Sequence, residues 1–196
     1  MLSLSKYNKK RNFNKTSEPK GSKKKKYSGK PIFVIQKHDA TNLHYDFRLE
    51  IDGTLKSWAI PKGPSTDPSV KRMAIPTEDH PMAYAQFEGT IPKGEYGGGT
   101  VMIWDKGRYS NLKKDENNKP VSLSKSYQLG RLEFWLEGEK LKGGYALVKM
   151  KSSEVKGNWL LIKMKDEQAD ARRNPINTQT KSVKSGKSMK EISEEE

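Results

Sequence analysis

The sequence predicts an all-β protein: a closed or nearly closed β-barrel of about eight strands, preceded by a basic, largely irregular N-terminal arm. Many short runs in the middle of the chain alternate apolar and polar residues, as half-buried strands do. Turn residues separate these runs at short intervals, which is typical of barrels and sandwiches. No stretch of this region carries the apolar periodicity of a three-turn amphipathic helix.

The strands are justified in chain order by their alternation. Asp52-Gly53 between two alternating runs predicts a tight hairpin, because both central residues of such a turn adopt positive φ. A second hairpin is predicted to turn at Asp105-Lys106-Gly107, and a third lies within the last long alternating stretch. The predicted strand regions are 33–38, 43–51, 54–60, 72–75, 84–89, 100–110, 131–150 and 158–165.

Charge and composition predict three segments along the chain. Residues 1–30 form a basic N-terminal arm, partly disordered, with eleven Lys and Arg against one acid, Glu18. Residues 31–168 form the barrel domain, and residues 169–196 are expected to be a disordered C-terminal tail. The net charge of +14 favours a nucleic-acid partner, although a solvated lysine-rich arm has the same composition. The expected nucleic-acid contacts of the arm are Lys23, Lys24, Lys25 and Lys26.

Several classes of protein are excluded by composition. The chain has no cysteine, so disulfides, thiolate metal sites and cysteine nucleophiles are ruled out. No apolar run approaches the ~20 residues of a membrane helix, and the first residues lack the apolar stretch of a secretory signal. We therefore expect a cytoplasmic monomer with no membrane partner.

The strand 43–51 has one apolar face and one face of His44, Asp46 and Arg48. A five-residue hairpin loop places His38 directly opposite His44, and opposed residues have Cβ atoms roughly 4.5–5.5 Å apart. Two imidazoles and the Asp46 carboxylate then converge, which predicts a site for a divalent ion such as Mn²⁺, Fe²⁺ or Zn²⁺. Arg48, further along the same face, suits a phosphate or carboxylate group.

The simpler interpretation of this face is a solvent-exposed strand surface. Histidine usage weighs against it, because the chain has three histidines and two of them occupy matched hairpin positions. A different metal set is also open: His44, Asp46 and His80 match the two-histidine, one-carboxylate triad of non-haem iron oxygenases. The choice between His38 and His80 as third ligand separates these two sites.

Three long stretches carry a resemblance to a known family. They are "FVIQKHDATNLHYDFRLEIDGTLKSWAIPKGPS", "TEDHPMAYAQFEGTIPKGEYGGGTVMIWDKGRY" and "KLKGGYALVKM" with "NWLLIKMKD". Together they resemble the 3′-phosphoesterase domain of DNA ligase D, from about Tyr7 to Asp166. This family acts on DNA and RNA 3′ ends in bacterial end joining, and the chain is similar to its free-standing form.

The resemblance implies a manganese-dependent enzyme, with Zn²⁺ or Co²⁺ as other metals, on a β-barrel with a polar groove. Such enzymes remove a 3′-terminal ribonucleoside and then the remaining 3′-phosphate, which leaves a 3′-OH. The implied substrates are DNA or RNA/DNA 3′ ends in primer-template form. The implied partners are a separate DNA ligase and end-joining proteins.

The resemblance also assigns residues. His38, His44 and Asp46 match the metal ligands, in agreement with the hairpin argument. The matches that engage the scissile phosphate or assist the chemistry are Arg48, Lys62, His80 and Tyr84, and Glu78 belongs to the same "EDHP" motif.

The arm carries a further part of the family pattern, where "RNFNKTSEP" retains Arg11 and Glu18. Asn12 stands where the family has aspartate. An amide is no general base and carries no negative charge, so we expect at least one of the two activities to be weakened or to depend on other groups.

Besides the phosphoesterase, one further functional class fits these features. A non-catalytic barrel that binds nucleic-acid ends would also be basic, with exposed aromatics such as Trp58 or Trp104 stacking on bases. Turnover of a blocked 3′ end distinguishes that binding module from the enzyme.

Overall fold

A computed structural model of the chain describes residues 4–21, 29–151 and 157–195. Nine strands form one antiparallel sheet, as the alternating segments predict. They are Ile32–Asp39 (β1), Leu43–Ile51 (β2), Thr54–Ile60 (β3), Lys71–Pro76 (β4), Gly89–Ile91 (β5), Gly99–Asn111 (β6), Arg131–Gly138 (β7), Lys142–Lys149 (β8) and Trp159–Lys163 (β9).

Eight of these strands close into a barrel, which confirms the predicted fold class. Their order is β1-β2-β3-β4-β9-β8-β7-β6, and β6 pairs back to β1 along most of its length. The short strand β5 pairs with the beginning of β6 outside this ring. Closure removes the free sheet edges that an open sheet of this size would expose.

The helices are short, as the lack of amphipathic periodicity predicts. The described α-helices are Ser5–Lys9 (α1), Leu123–Gln128 (α2), Pro175–Thr178 (α3) and Met189–Ser193 (α4), with a 3₁₀ helix at Met82–Gln86. Within the described residues, none of these helices has the length and apolar character needed to cross a membrane.

The second predicted hairpin is wrong, because β6 runs through Asp105 and Gly107 as one strand of 13 residues. The buried Asp105 carboxylate accepts hydrogen bonds from the backbone N–H groups of residues 139–141, in the turn between β7 and β8. It therefore stabilises a distant turn instead of its own. The pairing of β1 with β6 shifts register between Ile35 and Gln36, as it does at a β-bulge.

The strand predicted at 84–89 is also wrong. Pro81 precedes the 3₁₀ helix, and its carbonyl accepts a hydrogen bond from the backbone N–H of Tyr84. A proline is well tolerated at a helix start, where its missing N–H costs nothing. The chain becomes extended only afterwards, in β5.

Two apolar clusters lie on the two sides of the barrel wall. The larger contains side chains from all eight barrel strands, such as Phe47, Trp104 and Phe134, and therefore fills the interior. The smaller includes Tyr7 of the arm and Tyr84 of the 3₁₀ helix, packed against outward-facing residues of β1, β3 and β6. The arm, the 3₁₀ helix and β5 thus cover one outer face of the barrel.

The tail expected to be disordered is folded against the barrel over its described part. Ile192 of α4 is buried in the interior cluster, and the Trp104 indole N–H donates to the carbonyl of Gln179 at 2.7 Å. The backbone N–H of Val183 donates to the carbonyl of Ile103 at 3.0 Å. The polar composition of the tail hides this, since many of its contacts use backbone groups and its described part has few buried residues, namely Pro175, Ser182 and Ile192.

Candidate active site

The polar face of β2 lies on the covered outer wall of the barrel, beside outward-facing residues of β1. The hairpin register pairs His38 with His44 and Gln36 with Asp46, as the loop length predicts. Asp46 Oδ2 is 3.7 Å from His38 Nδ1, and Asp46 Oδ1 is 3.6 Å from His44 Nε2. One ligand atom of each residue lies within 4.8 Å of the others, so the three side chains converge on one point.

Backbone carbonyls orient both imidazoles. The Nε2 atom of His38 is 2.9 Å from the carbonyl of Gly97, and the Nδ1 atom of His44 is 2.8 Å from the carbonyl of Asn42. A carbonyl oxygen only accepts, so each of these nitrogens carries the proton. The other nitrogen of each ring faces Asp46, and a metal-binding histidine with an outer hydrogen bond has this arrangement.

The carboxylate of Asp46 is kept ionised. Burial alone would raise its pKa, but the Arg48 guanidinium and the two histidines hold the pKa of Asp46 well below its usual range. Arg48 Nη2 donates to Asp46 Oδ2 at 2.8 Å. Asp46 therefore presents a negative oxygen between the two imidazoles.

Arg48 is nearly fully buried, and its donors are widely used. Its Nε donates to Gln36 at 2.7 Å and its Nη1 donates to Ser57 at 2.9 Å. The same Nη1 lies 2.9 Å from His80 Nδ1, and Nη2 holds Asp46. Four partners engage most of the five guanidinium N–H groups, so Arg48 fixes the geometry of the Asp46 carboxylate.

His80 lies between two guanidinium groups. Arg48 Nη1 faces its Nδ1, and Arg11 Nη2 lies 3.2 Å from its Nε2. Burial lowers the pKa of His80 well below its ordinary value, and the charges of Arg48 and Arg11 lower it further. The imidazole is therefore neutral near pH 7 and serves as a hydrogen-bonding group there.

The arm contributes Arg11 and Glu18 to the same region. Arg11 donates to Glu18 at 2.8 Å and to Glu78 at 3.0 Å, with both carboxylates buried. Thr16 donates to the second oxygen of Glu18 at 3.1 Å. Glu78 thus anchors the arm to the loop before His80, a role that the sequence motif alone did not identify.

Tyr84 joins the 3₁₀ helix to the arm. Its hydroxyl donates to Glu18 Oε1 at 3.0 Å, and its ring contacts His80 edge-to-face with centroids 4.6 Å apart. Burial raises the pKa of the Tyr84 hydroxyl well above its ordinary value. Tyr84 is consequently a neutral hydrogen-bond donor.

A cavity of about 280 Å³ opens onto these groups. Most of the residues singled out from the sequence line it, and the structure thereby brings them into one place. They are His38, His44, Asp46, Arg48, His80, Tyr84, Arg11 and Glu78.

The remaining candidates lie elsewhere. Lys62 is exposed in the turn after β3 and is not among the described residues that line the cavity. Glu18 is buried and pairs with Arg11.

Two further candidates belong to the arm. The proposed nucleic-acid contacts lie outside the described residues, so their assignment stays a prediction; they are Lys23, Lys24, Lys25 and Lys26. Asn12 is exposed, and its side chain accepts a hydrogen bond from the backbone N–H of Asn14 at 3.2 Å.

Sequence reasoning missed three supporting groups. Gln36 lies on the same face as His38, two positions earlier, and Ser57 pairs directly with Arg48 across β2 and β3. The alternation of β1 could have revealed Gln36. Gly97 contributes only its carbonyl, and no side-chain pattern reveals such a group.

The residues present suit a divalent ion. Two neutral imidazole nitrogens and one carboxylate oxygen are the donor types that Mn²⁺, Fe²⁺ and Zn²⁺ accept. Within the described part of the chain, the convergent group contains His38 and excludes His80, whose ring nitrogens both face arginines. The geometry therefore disfavours the oxygenase-type triad with His80 as third ligand.

Comparison with known proteins gives a consistent result. The family described as the DNA ligase D 3′-phosphoesterase domain matches residues 36–149. The multifunctional non-homologous end joining protein LigD of Pseudomonas aeruginosa is 52% identical over 147 residues, which cover 74% of this chain and 16% of that protein.

Mycobacterial relatives are somewhat more distant. The multifunctional non-homologous end joining DNA repair protein LigD of Mycobacterium tuberculosis H37Rv is 44% identical over 146 residues, 74% of this chain and 18% of that protein. The LigD of Mycolicibacterium smegmatis is 43% identical over 148 residues, 76% of this chain and 19% of that protein. The chain therefore spans less than a fifth of the length of these relatives.

Proposed function

Because this chain belongs to the family of the DNA ligase D 3′-phosphoesterase domain, we propose that it is a metal-dependent phosphoesterase that heals 3′ ends. It removes a 3′-terminal ribonucleoside and then hydrolyses the remaining 3′-phosphate, which leaves a 3′-OH. The product is an end that a DNA ligase or polymerase can use in non-homologous end joining. The substrate is a DNA or RNA/DNA 3′ end in primer-template form.

One observation carries this proposal: two imidazoles, each oriented by a backbone carbonyl, converge with an ionised carboxylate beside a buried arginine. His38, His44 and Asp46 hold the metal, for which we propose Mn²⁺, with Zn²⁺ or Co²⁺ as substitutes. When bound, such an ion polarises a phosphate oxygen and lowers the pKa of a coordinated water.

Cationic side chains supply further positive charge where the phosphate binds. Arg11 lines the cavity, and its guanidinium is fixed by Glu18 and Glu78. Arg48 keeps Asp46 in position and presents one edge to the same cavity. Groups held in this way need little reorganisation when charge develops on the non-bridging oxygens. The assignment of Lys62 to the substrate stays a prediction, because Lys62 is exposed in the turn after β3 and is not among the described residues that line the cavity.

His80 and Tyr84 act as hydrogen-bonding groups. The low pKa of His80 leaves it uncharged, so it contacts or orients the phosphate and does not act as a cationic acid at neutral pH. The Tyr84 hydroxyl donates a hydrogen bond to Glu18 in this structure and could donate one to a substrate oxygen instead. An in-line water and a fixed phosphate are the positional requirements of phosphoryl hydrolysis, and these neutral donors serve that orientation.

Asn12 is compatible with this function. Its amide oxygen accepts from the backbone of Asn14, and its carbonyl accepts from Lys15 and Thr16 in the following turn. A carboxylate at this position accepts the same side-chain bond. The family aspartate and this asparagine can therefore build the same turn. That turn precedes Thr16, which bonds Glu18, and Glu18 in turn pairs with Arg11.

A primer-template assay tests the function. Primers ending in a 3′-phosphate and in a single 3′-ribonucleotide are incubated with purified protein, with EDTA or with Mn²⁺. We expect both ends to become 3′-OH only when Mn²⁺ is present. Conversion of one end alone would restrict the enzyme to that step.

The matched variants are His44→Ala and Leu43→Ala. His44→Ala removes a metal ligand, whereas Leu43 is an exposed neighbour on the same hairpin. We expect turnover to be lost in the first variant and retained in the second. Tight binding of either primer by the wild type without turnover would contradict the enzyme and indicate a module that binds ends.

A further inference from the structure

Tyr96 lies in the glycine-rich turn between β5 and β6, immediately before the residue that orients a metal ligand. Gly97 accepts the hydrogen bond of His38, so the backbone that carries Tyr96 is tied to the metal-binding cluster. Gly97 has a φ of +79°, a conformation that favours glycine. The Tyr96 ring is therefore held at the wall of the same cavity.

The ring of Tyr96 is unusually exposed. It retains 46% exposure, and among the described residues it is the aromatic member of the exposed large apolar side chains. The other tyrosine that lines the cavity, Tyr84, is 2% exposed. Lys10 Nζ and Arg11 Cζ lie 4.3 and 5.5 Å from the ring centroid, and the residue is still nearly half exposed at the mouth of the cavity. Its ring is therefore accessible to a flat ligand beside these two cations.

The hydroxyl of Tyr96 is anchored to the arm side of the cavity. Lys10 Nζ lies 2.8 Å from the Tyr96 oxygen and 4.3 Å from the ring centroid. The Tyr96 hydroxyl also donates to Glu78 at 3.3 Å. The ring is thus fixed before any ligand arrives, which lowers the entropy lost on stacking.

We propose that Tyr96 is the stacking platform for the base of the 3′-terminal nucleoside, an inference that rests on the proposed function. Every nucleobase has a π-face, so stacking on tyrosine is tolerant of base identity and adds binding energy that a terminal phosphate cannot gain. Tyr96 therefore distinguishes an end that carries a nucleoside from one that carries only a phosphate.

The position of Tyr96 selects the terminal base over an upstream one. Lys10, Arg11 and Glu78 join the arm to the cavity wall beside this ring. The arm therefore occupies this side of the cavity, and we infer that the upstream strand leaves by another side. The terminal nucleoside has no continuing chain and can lie beside Tyr96.

The alternative is that Tyr96 only fastens the arm through its hydroxyl. Two substitutions separate the roles: Tyr96→Phe removes the hydroxyl and keeps the ring, whereas Tyr96→Leu removes both. Two primers show whether the terminal base is the group that Tyr96 binds. One ends in an adenine ribonucleotide, and the other ends in the same ribose without a base.

The experiment measures kcat and KM for removal of the terminal residue from both primers by the wild type and both variants. For Tyr96→Leu we expect a roughly tenfold higher KM on the adenine primer and a change within about twofold on the abasic primer. For Tyr96→Phe, which keeps the ring but loses the hydroxyl anchor, we expect a smaller rise in KM on the adenine primer than for Tyr96→Leu and little change on the abasic primer. Equal losses on the two primers, or a loss in Tyr96→Phe matching that in Tyr96→Leu, would overturn the proposal.

A readout without turnover keeps the inference distinct from the proposed function. A primer with 2-aminopurine at its 3′ end is titrated with each protein in EDTA, and the fluorescence is recorded. Stacking on the wild type and Tyr96→Phe quenches the signal, whereas Tyr96→Leu leaves it unquenched. Ring-dependent quenching without turnover in the primer assay would support Tyr96 as the stacking platform and contradict the proposed enzyme. Turnover without ring-dependent quenching would support the enzyme and contradict the stacking platform.

Discussion

His38 and His44 face each other across the β1–β2 hairpin, with ring centroids 4.8 Å apart. Each ring donates one N–H to a backbone carbonyl, and the free nitrogens face Asp46. The pairing thus brings together, from one hairpin, three side chains that could hold a metal ion. The register of the β1–β2 hairpin alone places these three residues together, and the rest of the barrel supports the hairpin.

Metal binding is expected to stabilise the protein through this pair. A ligand that binds only the folded state raises the melting temperature as its concentration exceeds the dissociation constant. We predict that Mn²⁺ raises the melting temperature of the wild type after EDTA dialysis and has no such effect on His44→Ala. Leu43→Ala, in the adjacent exposed residue, should respond like the wild type. An equal shift in all three proteins would place the ion elsewhere.

Removal of the Arg48 guanidinium should destabilise the fold. Arg48→Met leaves the buried Asp46 carboxylate without its ion-pair partner and Gln36 without a donor. Breaking a buried ion pair in this way costs about 3 kcal/mol of unfolding free energy, measured by urea denaturation. The control is Arg131→Met, whose ion pair with Glu133 is half exposed and should contribute below about 1 kcal/mol. Similar losses in both variants would contradict a special role for Arg48.

The arm anchor Glu78 predicts a pH dependence of stability. Burial alone would raise the pKa of Glu78, but its own backbone N–H, Arg11 and Lys10 together lower it below the ordinary value. A lowered folded-state pKa means that the unfolded chain binds the proton more readily. The stabilisation is therefore complete above the unfolded pKa and is lost as the pH falls through the folded pKa.

Urea unfolding of the wild type and Glu78→Gln at pH 7 and at about pH 3 measures this effect. We expect the wild type to be the more stable at pH 7 and the difference to shrink on acidification. Glu116→Gln, at an exposed position, serves as the control with no such trend. A difference that grows in acid would have the wrong sign.

The C-terminal tail should contribute to the stability of the barrel. Ile192 of α4 is 3% exposed within the interior cluster, and truncation of such a side chain costs about 3 kcal/mol. Ile192→Ala should therefore lower the unfolding free energy clearly, whereas Lys190→Ala should be nearly silent because the Lys190 side chain is 83% exposed. A shift below about 0.5 kcal/mol for Ile192→Ala would contradict the packing of α4 into the interior cluster.

Much of the candidate site was predictable because it is local. A strand has a period of two and a hairpin has a register fixed by its loop, so His38, His44 and Asp46 could be placed together from spacing alone. The barrel class followed similarly from alternation. The error at residues 100–110 arose because Asp105 and Gly107 have turn-forming chemistry, yet Asp105 bonds a turn more than thirty residues away.

The sequence by itself determined the strand alternation, the hairpin that brings His38, His44 and Asp46 together, and the strong positive charge. Only the tertiary structure decided that the arm brings Arg11 to His80, that Glu78 anchors the arm, and that the tail closes on the barrel. The physical reason is that a hairpin is governed by steric and hydrogen-bonding rules over about ten residues. Contacts between distant, polar segments depend on which surface the closed barrel leaves available, and no local pattern encodes that surface.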